Sequence, residues 1–318
     1  MWAGVAFALV AGMTWGLVFV GPLLLPDYPP AQQAFGRYLA FGLIALPLGW
    51  IDRAGLARLA RADWIEALRL AAVGNVAYYL LLASAIRQAG APLPTMIIGS
   101  LPVVLAIAGN LRDHARDGHL PWKKLAPPLA AIAAGIGCVN QAELADAASP
   151  LAGDPAGHAL GVLLALGAMA CWTWYPLRNT DWLRRNPRHG ARVWATAQGL
   201  ATLPLALVGY AALWGWQALT DAAPATLPLG PRPAVFAGLM VAIGLLASWV
   251  GTLCWNQASA RLPSALAGQL IVFETLSALA YNQALRGGWP APLALAGVAL
   301  LVTGVMGATR VKALPPTA

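Results

Sequence analysis

Residues 4–15 read GVAFALVAGMTW, and residues 161–172 read GVLLALGAMACW. Six of the twelve positions are identical, from Gly4 facing Gly161 to Trp15 facing Trp172. Apolar helices match one another cheaply, so one such pair carries little. The next apolar stretch keeps the same spacing of 157: Gly42-Leu43-Ile44-Ala45-Leu46-Pro47-Leu48 faces Gly199-Leu200-Ala201-Thr202-Leu203-Pro204-Leu205. Farther along, Ala106, Ala108 and Asn110 face Ala278, Ala280 and Asn282 at a spacing of 172. The chain therefore reads as two related halves, with a longer connection around 217–231 taking up the difference.

Composition says what those halves are made of. Of 318 residues, 59% are hydrophobic and 10% charged, against roughly 25% charged in soluble domains. So few charges cannot cover the surface of a water-soluble fold of this size. A membrane-spanning helix takes about 20 mostly apolar residues. Such runs recur from end to end, at 3–24, 31–51, 66–87, 92–110, 124–140, 157–177, 192–215, 234–256, 264–284 and 291–308. Turn residues fill the gaps, among them Pro26, Pro29 and Pro30, Gly90, Pro150 and Gly153, Pro224 and Gly230, and Gly287 with Gly288. The formal net charge of +8 would suggest an acidic partner for a soluble protein. Here the basic residues sit in short loops between spans, so they report topology. No basic helix or aromatic-basic interleaving points to nucleic acid.

The basic residues also orient the chain. With the N-terminus inside, sixteen Lys and Arg fall on one side, and only Arg87, Arg232 and Arg286 fall on the other. The Lys/Arg-rich side is the cytoplasmic one, and an even number of spans places both termini there. The expected fold class is an all-α membrane protein, with ten transmembrane helices as two inverted five-helix repeats around a central cavity. The repeats are residues 1–140 and 157–318, joined by a periplasmic linker at 141–156. Five helices per half is an odd number, so the second half runs upside down. Inverted repeats are a signature of secondary transporters, with the solute site near the midplane between them. Met1 to Val20 has no basic leader and reads as a retained first helix rather than a cleaved signal. The expected location is the cytoplasmic (inner) membrane of a bacterium.

These features resemble the drug/metabolite transporter superfamily in its ten-helix EamA-type branch. The resemblance rests on Met13-Thr14-Trp15-Gly16 closing the Ala-rich first helix, on Phe35-Gly36-Arg37-Tyr38 opening the second, on Pro102-Val103 in the fourth, and on the repeat from Gly161 to Trp172. Within that branch the chain is similar to the aromatic amino acid exporters. The resemblance implies a basket of helices around a cavity lined by the first, third, fourth, sixth, eighth and ninth, and export of amino acids or related metabolites. Relatives often repeat the Pro-Val pair in the ninth helix. Here the position matching Pro102 is Glu274, in Val272-Phe273-Glu274-Thr275, so no coupling mechanism carries over at that point.

Glu274 is the acid placed deepest in any span. A central carboxylate costs about 2.5 to 3.5 kcal/mol on translocon scales, so it is expected to face a cavity or a partner. Three roles stay open for it: a proton-coupling carboxylate, a site for a substrate ammonium, or a protonated side chain bonded to a neighbouring helix. Arg37, some six residues into its span, is expected at the outer mouth. There it would snorkel to the interface, pair with Asp27, or meet a substrate carboxylate. Asn75 and Tyr78 share a helix face near mid-depth beside Tyr79. Trp15 and Trp172 sit at matching repeat positions, and with Trp249 they suggest a cavity for an apolar or aromatic side chain. Ser100 and Gln269 are candidates to bond an amino acid backbone, or equally to join helices. Pro94 and Pro102 in the fourth span favour kinks that would serve gating or fixed curvature. Gly12 and Gly16 read as a close helix contact inside the bundle rather than a dimer interface, and a monomer is expected.

Other chemistries lack their residues. Cys138, Cys171 and Cys254 lie in apolar spans and read as packed thiols. His114, His119, His158 and His189 form no metal-ligand spacing, and no nucleotide-binding loop is present. No metal and no cofactor are expected, and the partners are a small-molecule substrate and the lipid bilayer. The competing functions are a broad drug or metabolite exporter, an uptake permease of the same fold, and a membrane-embedded lipid-modifying enzyme. The enzyme would need several acidic or polar residues clustered at one interface.

Overall fold

The computed structural model describes residues 1–89, 92–112, 120–146, 155–220, 229–286 and 289–311. Among them every regular element is helical and none is a strand. Helix α1 runs Trp2–Gly16 and continues through a tighter turn at Leu17–Phe19 into Val20–Leu24. Helix α2 spans Pro30–Ile51. Helix α3 runs Arg61–Leu70, a π segment Ala71–Ala77, then Tyr78–Ala89. Helix α4 comprises Pro92–Gly99 and Leu101–Arg112. Helices α5, α6 and α7 span Trp122–Asp146, Pro155–Arg185 and Ala191–Thr220. Helix α8 runs Pro233–Ile243, a π segment Gly244–Val250, then Gly251–Ser259. Helix α9 comprises Ser264–Leu270 and Val272–Arg286, and α10 spans Pro292–Thr309.

Six of these, α1, α2, α3, α6, α7 and α8, are long and apolar enough to cross a membrane, and Leu101–Arg112 and Pro292–Ala308 are shorter apolar helices. Their starts follow from local chemistry. Proline opens α2, α8 and α10, where its missing N–H is no loss and its fixed φ suits the first turn. At the start of α3 the Asp63 carboxylate accepts from the Ala60 backbone N–H at 2.8 Å.

Two expectations need correction. Hydropathy ended the sixth span at residue 177, but α6 continues to Arg185. The extra turns are held by tertiary pairing that hydropathy does not see. Asn179 and Thr180 are buried, Arg178 pairs with Glu66, and Trp182 Nε1 donates to Asp63 at 2.9 Å. The ninth span, expected as a single helix, is broken at Ile271, while the fourth, where Pro94 and Pro102 favour kinks, is broken at Ser100. In α4 the cause is Pro102, which removes a backbone donor and crowds the preceding turn; the Ser100 hydroxyl donates to the Ile97 carbonyl at 2.7 Å. In α9 no proline is present. Instead the Glu274 N–H reaches back three residues to the Ile271 carbonyl at 2.8 Å, a tighter turn than the α-helix.

Packing follows a regular scheme. Helix α2 lies against α7, α5 against α10, α4 against the first piece of α9, α6 against α3, and α1 against α8 and α9. The α1–α9 contact depends on glycine. A Cβ on Gly12 would lie 2.9 Å from the Glu274 backbone nitrogen, and one on Gly16 would lie 2.8 Å from that of Ala278. Small residues at these positions let the two backbones touch, and that contact sets the depth of Glu274.

Candidate functional site

Five helices bring side chains to one enclosed chamber. Trp15 and Val18 come from α1, and Arg37 and Tyr38 from α2. Asn75 and Tyr78 come from α3, Trp172 and Tyr175 from α6, and Ala247, Ser248 and Thr252 from α8. A sixth, α9, adds Glu274. Asn75 and Ser248 each sit in a π segment, where the widened helix re-aims its side chains; such segments are frequent at functional sites. The free volume is roughly 10 Å³, room for about one water. A site holding a small organic solute takes about 300 Å³ or more, so the chamber is closed in this conformation.

Aromatic rings close it. Trp172 is stacked between Tyr78, at a centroid distance of 4.6 Å, and Tyr175, at 5.2 Å. Trp15 meets Trp172 edge-on at 5.1 Å and Trp255 at 5.3 Å. Arg37 is 6% exposed and Glu274 4%. The Arg37 guanidinium lies 4.9 Å from the Tyr38 ring centroid and 5.0 Å from that of Tyr79, and its Nε donates to Ser248 Oγ at 3.1 Å. Its Nη1 has no partner, nor do Glu274 Oε2, Tyr78 Oη and Trp172 Nε1. Arg37 and Glu274 line one chamber, yet no ion pair among the described residues joins either of them to anything. Burying a charge without a partner costs several kcal/mol.

The structure sorts the expected residues. Trp15, Asn75, Tyr78, Trp172 and Glu274 come together at the chamber. Tyr79 sits behind it, donating to the Val18 carbonyl at 3.4 Å. Ser100 is taken up by the α4 break and also approaches Met169 Sδ at 3.5 Å. Trp249 follows Ser248 on the π segment but does not line the chamber, and its Nε1 has no partner. Gln269 is fully buried on α9, away from the chamber, with neither amide atom bonded. Pro94 and Pro102 are buried on the two pieces of α4 and do not line it. Arg37 is not at the outer mouth: it points inward, and Asp27 pairs with Arg232 at 2.9 Å instead. His114, His119, Gly90, Pro150, Gly153, Pro224, Gly287, Gly288 and residues 147–154 of the linker lie outside the described residues.

Tyr38, Ser248 and Thr252 were missed, whereas Tyr175 belongs to the deep aromatics expected to suggest the cavity. Tyr175 was legible as one turn from Trp172. Ser248 and Thr252 are small polar residues in an apolar span, where helix-to-helix bonding is the ordinary reading.

A second polar cluster lies toward the basic end. Asn179 Oδ1 accepts from Trp194 Nε1 at 2.9 Å and from Gln198 Nε2 at 3.1 Å, and its Nδ2 donates to Asn256 Oδ1 at 2.8 Å. Tyr175 joins this cluster to the chamber, donating to Gln198 Oε1 at 2.8 Å. Asn75 Nδ2 donates to Thr202 Oγ1 at 3.1 Å. Beyond it, Asp52 takes Arg192 and the Thr196 hydroxyl, and Arg112 pairs with Asp181 at 2.9 Å.

An apolar helical bundle thus surrounds a small chamber that holds Arg37 and Glu274. The EamA-like transporter family matches residues 2–114, the stretch that supplies Trp15, Arg37, Asn75 and Tyr78. The inner membrane protein YtfF of Escherichia coli (strain K12) is 52% identical over 316 residues, covering 99% of this chain and 98% of that protein. This chain belongs to the EamA-like transporter family. It is a membrane transporter of the drug/metabolite type and a multi-pass protein of the bacterial inner membrane. A protein crystal structure superposes with a TM-score of 0.70 at 17% identity, covering 96% of this chain and 97% of that one, so the EamA-family bundle is shared with an experimentally solved fold. Neither the family description nor the name YtfF specifies a substrate.

Proposed function

We propose that this protein is a secondary transporter that exports hydrophobic or aromatic amino acids, or closely related small metabolites, by alternating access between two inverted five-helix halves. In this reading α4, α5, α9 and α10 also cross the membrane, giving ten spans with both termini in the cytoplasm. Residues 1–140 and 157–318 form the halves.

Several regularities support two equivalent halves. The π segments begin at Ala71 and Gly244, and the breaks fall at Ser100 and Ile271, spacings close to the 172 of the sequence match. The packing is self-consistent under an exchange of halves. Helix α2 meets α7, α4 meets α9 and α5 meets α10, while α1 with α8 is the counterpart of α6 with α3.

One observation carries the substrate reading. The chamber at the junction of both halves is walled by Trp15, Tyr78, Trp172 and Tyr175, a surface suited to an apolar or aromatic side chain. Its closure at roughly 10 Å³ fits an intermediate of alternating access, in which the walls part to admit solute. The test is counterflow in proteoliposomes with a labelled amino acid panel, with and without a pH gradient. Exchange of phenylalanine, tryptophan, tyrosine or leucine is expected. Exchange of unrelated lipophilic cations with no amino acid exchange would replace this reading by that of a broad drug exporter.

A further inference from the structure

Two of the chamber's unbonded groups are of opposite charge. Arg37 Nη1 and Glu274 Oε2 are both inaccessible and unpartnered, on helices from different halves, and both line a space with room for about one water. Each charge is expensive to bury alone. Their burial is understandable if the chamber's occupant brings the missing partners. The remaining unbonded groups there are Trp172 Nε1, a donor, and Tyr78 Oη, which can donate or accept. The set therefore offers a guanidinium and a carboxylate in one chamber, with the Trp172 indole on the Glu274 side.

The geometry points to a chamber that selects solutes carrying both a free carboxylate and a free ammonium. Arg37 Nη1 donates to the solute carboxylate, and Glu274 Oε2 accepts from the solute ammonium. The assignment rests on the amino acid reading above and deepens it. A zwitterion neutralises both poles at once. A decarboxylated amine leaves Arg37 unpaired, and a deaminated acid leaves Glu274 unpaired, so each is rejected by the cost of the charge it fails to meet. Ser248 is the positioning residue for Arg37: its hydroxyl holds Nε at 3.1 Å and leaves Nη1 directed at the solute.

The test is wild-type counterflow with two matched triplets: phenylalanine, phenethylamine and 3-phenylpropionate; and leucine, isopentylamine and 4-methylpentanoate. The expected result is exchange of the zwitterion at least about tenfold faster than of either truncated partner. Arg37→Gln is expected to bring the phenylalanine-to-phenethylamine ratio toward one. Glu274→Gln is expected to do the same for phenylalanine against 3-phenylpropionate. A purely structural role for either residue would lower all three rates together and overturn its assignment. If phenylalanine or leucine exchanges but its amine or acid does so comparably, the bipolar assignment falls while amino acid transport stands. If no amino acid of the panel exchanges, both fall. The wild-type triplets need no variant, so the inference is decided even if a substitution prevents folding.

Discussion

Compare the Asn179 cluster with the chamber one or two turns away. Both bury polar side chains in an apolar bundle, and Tyr175 touches both. Around Asn179 each amide is met: Trp194, Gln198 and Asn256 all bond to it within 3.1 Å. In the chamber Arg37, Tyr78, Trp172 and Glu274 each keep an unbonded atom. Polar groups buried with partners rigidify a fold. Polar groups buried without them are a cost the fold carries for a reason outside itself. The first cluster reads as a fixed joint between α6, α7 and α8, and the second as a site awaiting an occupant.

The comparison breaks most visibly at Asn179. Asn179→Ala removes the partner of three groups at once, and each orphaned polar group costs about 1–3 kcal/mol. We expect a loss of about 3 kcal/mol or more, read as a lower thermal midpoint in detergent. An unchanged midpoint would mean that the cluster is not a joint. Gly12→Leu attacks the seam that sets the depth of Glu274. Overpacking there should cost about 1–3 kcal/mol and reduce counterflow, because the α1 and α9 backbones must separate. Tyr175→Phe cuts the Tyr175–Gln198 hydrogen bond between the two regions but leaves the ring stacked on Trp172. A loss of about 1 kcal/mol is expected, with exchange retained; abolished exchange would make that hydroxyl part of the solute site. Asp27→Asn opens an ion pair whose members are 57% and 41% exposed, and less than about 1 kcal/mol should follow in a denaturation series.

Much of this architecture was written plainly in the chain. Long apolar runs gave the helices, because burial in lipid demands about 20 apolar residues in a row. The spacing of 157 aligned the second span with the seventh in sequence, and the packing of α2 on α7 is visible only in the structure. The turns of α6 past residue 177 were hidden, since Arg178, Asp181 and Arg184 read as loop until their partners Glu66, Arg112 and the Leu262 carbonyl are in place. The break in α4 was announced by Pro102. That in α9 was not, because a backbone turn at Ile271 needs no special side chain. At the chamber, Glu274 and the paired Trp15 and Trp172 were visible as rarities or repeats. Arg37 was misplaced because depth along a helix does not say which way a long side chain turns.

The central claim is that Glu274 is kept for a solute rather than for the fold. The direct measurement is phenylalanine counterflow and thermal midpoint on one preparation of Glu274→Gln. The account predicts exchange at least about tenfold below wild type with a midpoint equal to or above it, since an unpaired buried charge has been removed. Undiminished exchange, or a midpoint that falls together with it, would contradict the account.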